Sequence, residues 1–123
     1  MAYMDGFVIA VPKGNRDQFV THAQRTDEMF LEMGATRVVE CWEDDVPDGQ
    51  QTDFRRAVQA GPEEAVVFSW IEWPDKATRD AAMARMRDPQ NSDPRMDPAQ
   101  NPIPFDGKRM IFGGFTPVVT IEK

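Results

Sequence analysis

The sequence predicts an α+β fold: a four-stranded antiparallel sheet with two long helices on one face. Three observations predict it. Four apolar, β-branched runs of strand length lie at residues 4–11, 36–44, 65–73 and 109–121. Helix-spaced stretches separate the first run from the second and the third from the fourth, so the order reads βαββαβ. No single run is long enough for more than one strand, and turn residues bound each of them.

The first strand, 4–11, stops at Pro12-Lys13-Gly14. Asn15 is placed to cap the helix that follows, with Gln18 three residues on and Asp17 in the first turn, where the macrodipole favours a negative charge. Phe19, Ala23, Thr26, Phe30 and Met33 form its apolar stripe, and Gly34 ends it. The second strand, 36–44, leads to a Val46-Pro47-Asp48-Gly49 turn. Residues 53–60 form a short element in which Asp53 can cap one or two helical turns. After the third strand, Asp75 caps a second helix, with Ala77, Ala81 and Ala84 along one side. That helix stops before Pro89, because a proline disfavours the α conformation in the residue preceding it. Residues 88–104 hold five of the ten prolines and read as one long loop, a kind that is usually functional or mobile. The last strand, 109–121, contains Gly113-Gly114, which marks a bulge or a close approach of another group.

The chain has 123 residues and reads as one domain spanning 1–123. Its net charge of −7 argues against nucleic acid, which needs clustered Lys and Arg to displace counterions. No apolar run approaches the ~20 residues that cross a bilayer, and the N-terminal stretch lacks the basic start of a signal peptide. One cysteine and one histidine cannot build a Cys/His zinc site, so no metal and no cofactor are expected. The expected location is the cytoplasm.

The strands are apolar on both faces. One side of the third strand reads Val66, Phe68, Trp70 and Glu72, and the other Val67, Ser69, Ile71 and Trp73. In the first strand Phe7, Ile9 and Val11 oppose Met4, Val8 and Ala10. Two helices cover one face only. The other needs the proline-rich loop, a ligand or a second sheet, and a face-to-face homodimer is the simplest solution.

The segments DGFVIAVPKG, RVVECWEDDVPDG, DFRRAV, VVFSWIEWPDKATRDAAM and PFDGKRMIFGGF together resemble the YbaA-like family, small bacterial proteins of unknown function. The resemblance spans nearly the whole chain. It implies ferredoxin-like subunits that pair as a dimeric α+β barrel, and it implies no activity.

Glu40 and Glu72 are the candidate catalytic residues. Each lies inside a strand, two residues from a tryptophan on the same strand face, Trp42 and Trp70. A carboxyl beside indole in a dry pocket has a raised pKa and can exchange protons with a ligand. The plainer expectation is that arginines answer both, from among Arg37, Arg55, Arg56 and Arg109. Arg55 and Arg56 could instead hold a carboxylate ligand, since the guanidinium fork suits bidentate pairing. Lys108 and Arg109 follow an Asp106-Gly107 turn and could rim a pocket under the loop. Trp42, Arg55, Arg56, Trp70, Lys108 and Arg109 are therefore the candidate ligand-binding set. Tyr3, Trp73, Phe105, Phe112 and Phe115 are further aromatic residues for a pocket or a dimer core. Cys41 points away from Glu40 and Trp42 and reads as a small buried hydrophobe. His22, at the edge of the first helix's stripe, reads as a satisfied or surface residue.

These features are expected to make a homodimer that binds a small organic molecule in a pocket between sheet, helices and loop. Two alternatives stand beside it: a cofactor-independent monooxygenase or isomerase, by analogy of architecture alone, and a structural or regulatory dimer without a ligand.

Overall fold

A computed structural model describes residues 1–123. Strand β1 (Tyr3–Pro12) leads through a 3₁₀ turn into helix α1 (Arg16–Glu32). Strand β2 (Arg37–Trp42), helix α2 (Phe54–Ala57), strand β3 (Glu64–Trp73), helix α3 (Lys76–Arg87) and strand β4 (Ile111–Phe115) follow. The sheet order is β2-β3-β1-β4, with every neighbouring pair antiparallel. This is the expected βαββαβ architecture. The central ladder runs from Tyr3 opposite Trp73 to Pro12 opposite Glu64.

Side chains directly opposite in such a ladder share a face. Ile9 and Val11 of β1 therefore join Val67, Ile71 and Trp73 of β3 beneath α1 and α3. There they meet Phe19, Ala23, Met29 and Phe30 of α1 and Ala82 of α3. Trp73 is 1% exposed and its ring meets Phe30 edge-on at 6.3 Å. Fully burying a side chain of this kind contributes ~1.5–3 kcal/mol.

Local signals place most element ends. Asp53 accepts a hydrogen bond from the Arg56 amide and Asp75 from the Thr78 amide, each at 2.7 Å. Gly34 has φ of 113°, and the Ala35 amide donates to Phe30 O at 3.0 Å, which closes α1. Asn15 departs from the expected cap: its side-chain amide donates instead to Pro104 O at 3.0 Å, tying the long loop to the helix start. The alanine side of α3 is also reversed. Ala77, Ala81 and Ala84 are exposed, while Ala82 is buried and Met83 and Met86 pack on the core, since the longer methionines fill the gap between helix and sheet.

The last strand is shorter than expected. It ends at Phe115, opposite Met4, one residue from the start of β1, so the residues after it have no strand left to pair with. Pro117 has no amide hydrogen to offer either. Gly113-Gly114 marks a close approach: an ideal Cβ on Gly114 would lie 2.3 Å from the Tyr3 hydroxyl oxygen.

The second sheet face carries Met4, Val8, Val39, Cys41, Phe68, Trp70, Glu72, Ile111 and Phe115. The segment around α2 covers one end of it. Val58 packs on Ala10 and Val66, and Phe54 meets Phe68 edge-on at 5.9 Å. The rest is open, with Phe68 46% and Phe115 62% exposed. Cys41 is exposed here and not buried as expected, because nothing covers β2 on this side. No helix is long and apolar enough to cross a membrane.

Candidate functional site

A cavity of about 340 Å³ lies between the helix-covered face of the sheet, α1 and the 88–104 loop. Its lining is mostly apolar: Phe7, Ile9, Phe19, Phe30, Ile71 and Met96 are among the residues that form it. The loop is its roof, and polar contacts hold that roof down. Arg95 pairs with Asp93 in its own loop and with Glu32 at the end of α1. Arg25 donates to Gln100 O at 3.0 Å. Asn101, 2% exposed, donates to Arg95 O at 2.8 Å and to Thr26 Oγ1 at 3.3 Å. With its amide nitrogen so engaged, Asn101 presents Oδ1 to His22 Nδ1 at 3.1 Å, which makes Nδ1 the protonated nitrogen of the ring. Burial lowers the His22 pKa, against the pull of the Asn101 hydrogen bond.

Glu40 stands in the wall of this cavity. Its register partner is Ser69, so strand parity turns it toward the helices together with Val38 and Trp42. No arginine reaches it, contrary to expectation. Its neighbour is Asp27, one helical turn beyond Ala23 on α1. No N–H or hydroxyl reaches the buried Oε2 of Glu40, and the carboxyl hydrogen-bonds Asp27 through the proton the pair holds. Burial, then the adjacent Asp27 charge, pushes the Glu40 carboxyl up to about 8. Burial pushes Asp27 up to about 6. Two carboxyls this close resist double ionisation, so around neutral pH the pair holds one proton.

Glu72 is on the other face. It accepts from Trp70 Nε1 at 2.9 Å and lies 3.8 Å from Arg37. The arginine reading thus fits Glu72 and fails for Glu40. Of the remaining predicted residues, Trp70 contributes to the cavity lining, and Trp42, Arg55, Arg56, Lys108 and Arg109 do not. Trp42 packs tilted against Phe19 at 6.2 Å and lies beneath Arg16 at 5.6 Å, in an outer groove beside the cavity. The Trp70 ring packs on Phe68 at 5.8 Å. Arg55 binds Glu43 at 2.8 Å and Gly61 O at 2.6 Å, and Arg56 holds Asp53, Gly49 O and Gln50 O. Arg109 pairs with both oxygens of Glu64 at 2.7 Å and with Asp106. Lys108 is exposed on the turn before β4. The three arginines brace loops, because acidic partners and loop carbonyls already engage their guanidinium groups.

Sequence reading missed Asp27, Asn101 and Arg95. Asp27 left a trace: it sits four residues after Ala23 and three before Phe30, within the apolar stripe of α1, where a carboxylate is out of place. Asn101 and Arg95 left none, since their partners lie far away in the chain.

Together the fold and the cavity define a class: a ferredoxin-like α+β protein with a partly open, mostly apolar chamber between sheet and helices and a carboxyl pair in its wall. The chain belongs to the family described as "Protein of unknown function (DUF1428)", whose model matches residues 2–107. It is 53% identical over 119 residues to the uncharacterized protein YbaA of Escherichia coli K12, covering 97% of this chain and 98% of that protein. The same identity and coverage hold for YbaA of Shigella flexneri. A solved structure from an uncultured marine organism, described as a dimeric ferredoxin-like protein, aligns with a TM-score of 0.55 over 99% of this chain and 98% of that one. At 13% identity that likeness concerns the fold alone.

Proposed function

We propose that this protein binds a small, neutral, largely apolar organic molecule in the chamber beneath the proline-rich loop, and that it does so as a homodimer. The observation that carries the binding reading is a mostly apolar cavity of about 340 Å³ with the Asp27 and Glu40 carboxyls in its wall. Cavities of ~300–1,000 Å³ with apolar walls and few polar groups are of the kind that hold small ligands. The protonated Glu40 carboxyl donates to Asp27 in the free protein, and the same proton can turn to an acceptor in a ligand, such as a carbonyl oxygen. An anionic ligand finds no free cation, since Arg95 is already paired with Asp93 and Glu32.

β-Tetralone, a neutral bicyclic ketone, is a suitable probe, with its amine counterpart as the charged control. Saturation-transfer NMR is expected to show the ketone bound and the amine weaker, and Glu40→Leu is expected to weaken the ketone about tenfold, the worth of one good hydrogen bond. Tighter binding of the amine, or no binding of the ketone, would sink this reading.

The dimer reading rests on the open sheet face. Phe68, Ile111 and Phe115 are exposed there, and the apolar tail residues Val118, Val119 and Ile121 have no partner within the chain. Face-to-face pairing of two copies covers these side chains, and the dimeric description of the marine ferredoxin-like protein is consistent with it. Sedimentation at micromolar concentration is expected to give twice the 14.0 kDa of the chain, and a monomer would refute it.

A further inference from the structure

We propose that Asp27 and Glu40 work as one bifunctional acid–base pair that enolises a carbonyl compound held in the chamber, with the groove between α1 and β2 returning protons from solvent. This rests on the binding reading above and adds a reaction to it.

The pair occupies a wall common to two spaces. On the inner side is the mostly apolar chamber. On the outer side a groove between α1 and β2, lined by Arg16, Gln24, Glu28 and Trp42 among others, also reaches Asp27 and Glu40. A carboxyl pair shared by a mostly apolar space and a more polar groove can act on a bound molecule from one side and exchange its proton from the other. The chamber need not open for that exchange.

The state with one proton is asymmetric. Burial weighs more heavily on Glu40, so Glu40 keeps the proton and Asp27 is the anion. The other groups around the pair leave that charge state alone. Ser69 of β3 offers Glu40 a hydroxyl, Arg95 of the loop is neutralised by its own acids, His22 of α1 is tied to Asn101, and Met86 of α3 brings no charge. On the groove side, Arg16 stacks over Trp42 and Glu28 is exposed.

The step balances without a redox partner. The Asp27 carboxylate takes a proton from the carbon next to the carbonyl while Glu40 gives its proton to the carbonyl oxygen. One C–H bond breaks, one O–H bond forms, and the C=O double bond becomes a C=C double bond. The anion has moved from Asp27 to Glu40. A proton passing from Asp27 to Glu40 resets the pair, and the groove lets solvent replace it. Return of a proton to carbon restores the ketone or leaves its isomer. The geometry favours this over nucleophilic chemistry, because Cys41 lies on the opposite sheet face.

The test is exchange of the α-protons of β-tetralone in D₂O, followed by proton NMR with the full chain. Wild type is expected to exchange the bound ketone at least ~100-fold faster than buffer, the usual yield of positioned acid–base groups. The rate should be bell-shaped in pH, with limbs near 6 and near 8, where the pair loses its first and then its second proton. Glu40→Gln keeps a hydrogen-bond donor, so it should still bind the ketone yet fall to the buffer rate. Asp27→Asn should do the same. A purely structural role for the pair would leave no such split between binding and exchange. Ketone bound to wild type but exchanging at the buffer rate would overturn the acid–base step and leave the binding reading standing. Wild-type exchange persisting in Glu40→Gln would overturn the role of the pair. Failure of the ketone to bind would overturn both.

Discussion

On the helix-covered side of the sheet, Glu40 stands beside a second carboxyl and meets no arginine. On the open side, Glu72, in the neighbouring strand, accepts from Trp70 and faces Arg37. Both glutamates lie mid-strand, two residues from a tryptophan. Their environments differ because side chains alternate across a strand and only one face is roofed. A third carboxylate sharpens the contrast. Asp5, 3% exposed on the covered face, accepts from Trp73 Nε1 at 2.9 Å and from Arg79 Nη2 at 2.8 Å. The covered face thus answers one buried acid in full and leaves another open toward a cavity. Full pairing with an arginine at Asp5 is the arrangement of a structural group, whereas Glu40 is answered by a second acid and no cation, and the pair lines a cavity.

The largest effect is expected at Asp5. Asp5→Ala leaves the Arg79 charge and the Trp73 N–H without their partner, at a cost of ~3–5 kcal/mol in urea unfolding. A cost below ~1 kcal/mol would mean the covered face tolerates unpaired groups generally, and Glu40 would lose its distinction.

Glu40 should show itself through pH. Its folded value of about 8 lies above the 4.5 of an ordinary glutamate, so the folded state holds the proton more tightly than the unfolded chain. Asp27, raised from 3.8 to about 6, adds to the same trend, so stability is intact below 3.8 and falls as pH rises toward 8. The loss is on the order of 2–4 kcal/mol. Glu40→Gln should flatten this slope, and equal slopes in both proteins would place the proton elsewhere.

On the open face, Phe68→Arg puts a charge at the centre of the exposed patch. Dimer dissociation should strengthen by ~30-fold or more in sedimentation, the scale of a lost central aromatic contact. Unchanged association would remove this face as the interface.

The smallest effect belongs to Arg37. In the Phe68→Arg background, Arg37→Ala should shift unfolding by less than ~1 kcal/mol, because the pair with Glu72 is long and the arginine side chain is 65% exposed. A larger shift would show that Glu72 is held as tightly as Asp5.

Much of the architecture was legible in the residues. The alternating runs, the caps at Asp53 and Asp75 and the glycine stop at Gly34 each belong to one short segment, and each specified its element. The reading failed where an outcome depended on two distant segments. Asn15 offers a good local cap, yet its side chain bonds Pro104, 89 residues away. Residues 116–121 look strand-like, yet β1 has no residues left to pair with them. Arg55, Arg56 and Arg109 look free in the chain, yet Glu43, Asp53 and Glu64 fold against them. The candidate site was half visible: Glu40 and the roofing loop were, and Asp27 and Asn101 were not.

The sequence by itself determined the element order, the two-sided apolarity of the strands and the presence of carboxyls within them, because these are properties of periodicity within single segments. Only the tertiary structure decided which carboxyl meets an arginine and which meets a chamber. That outcome depends on which face α1 covers, on Asp27 descending from α1 onto β2, and on Asn101 returning to His22 across 79 residues of chain. Periodicity carries no information about such meetings, since they arise from packing between segments that are remote in the chain.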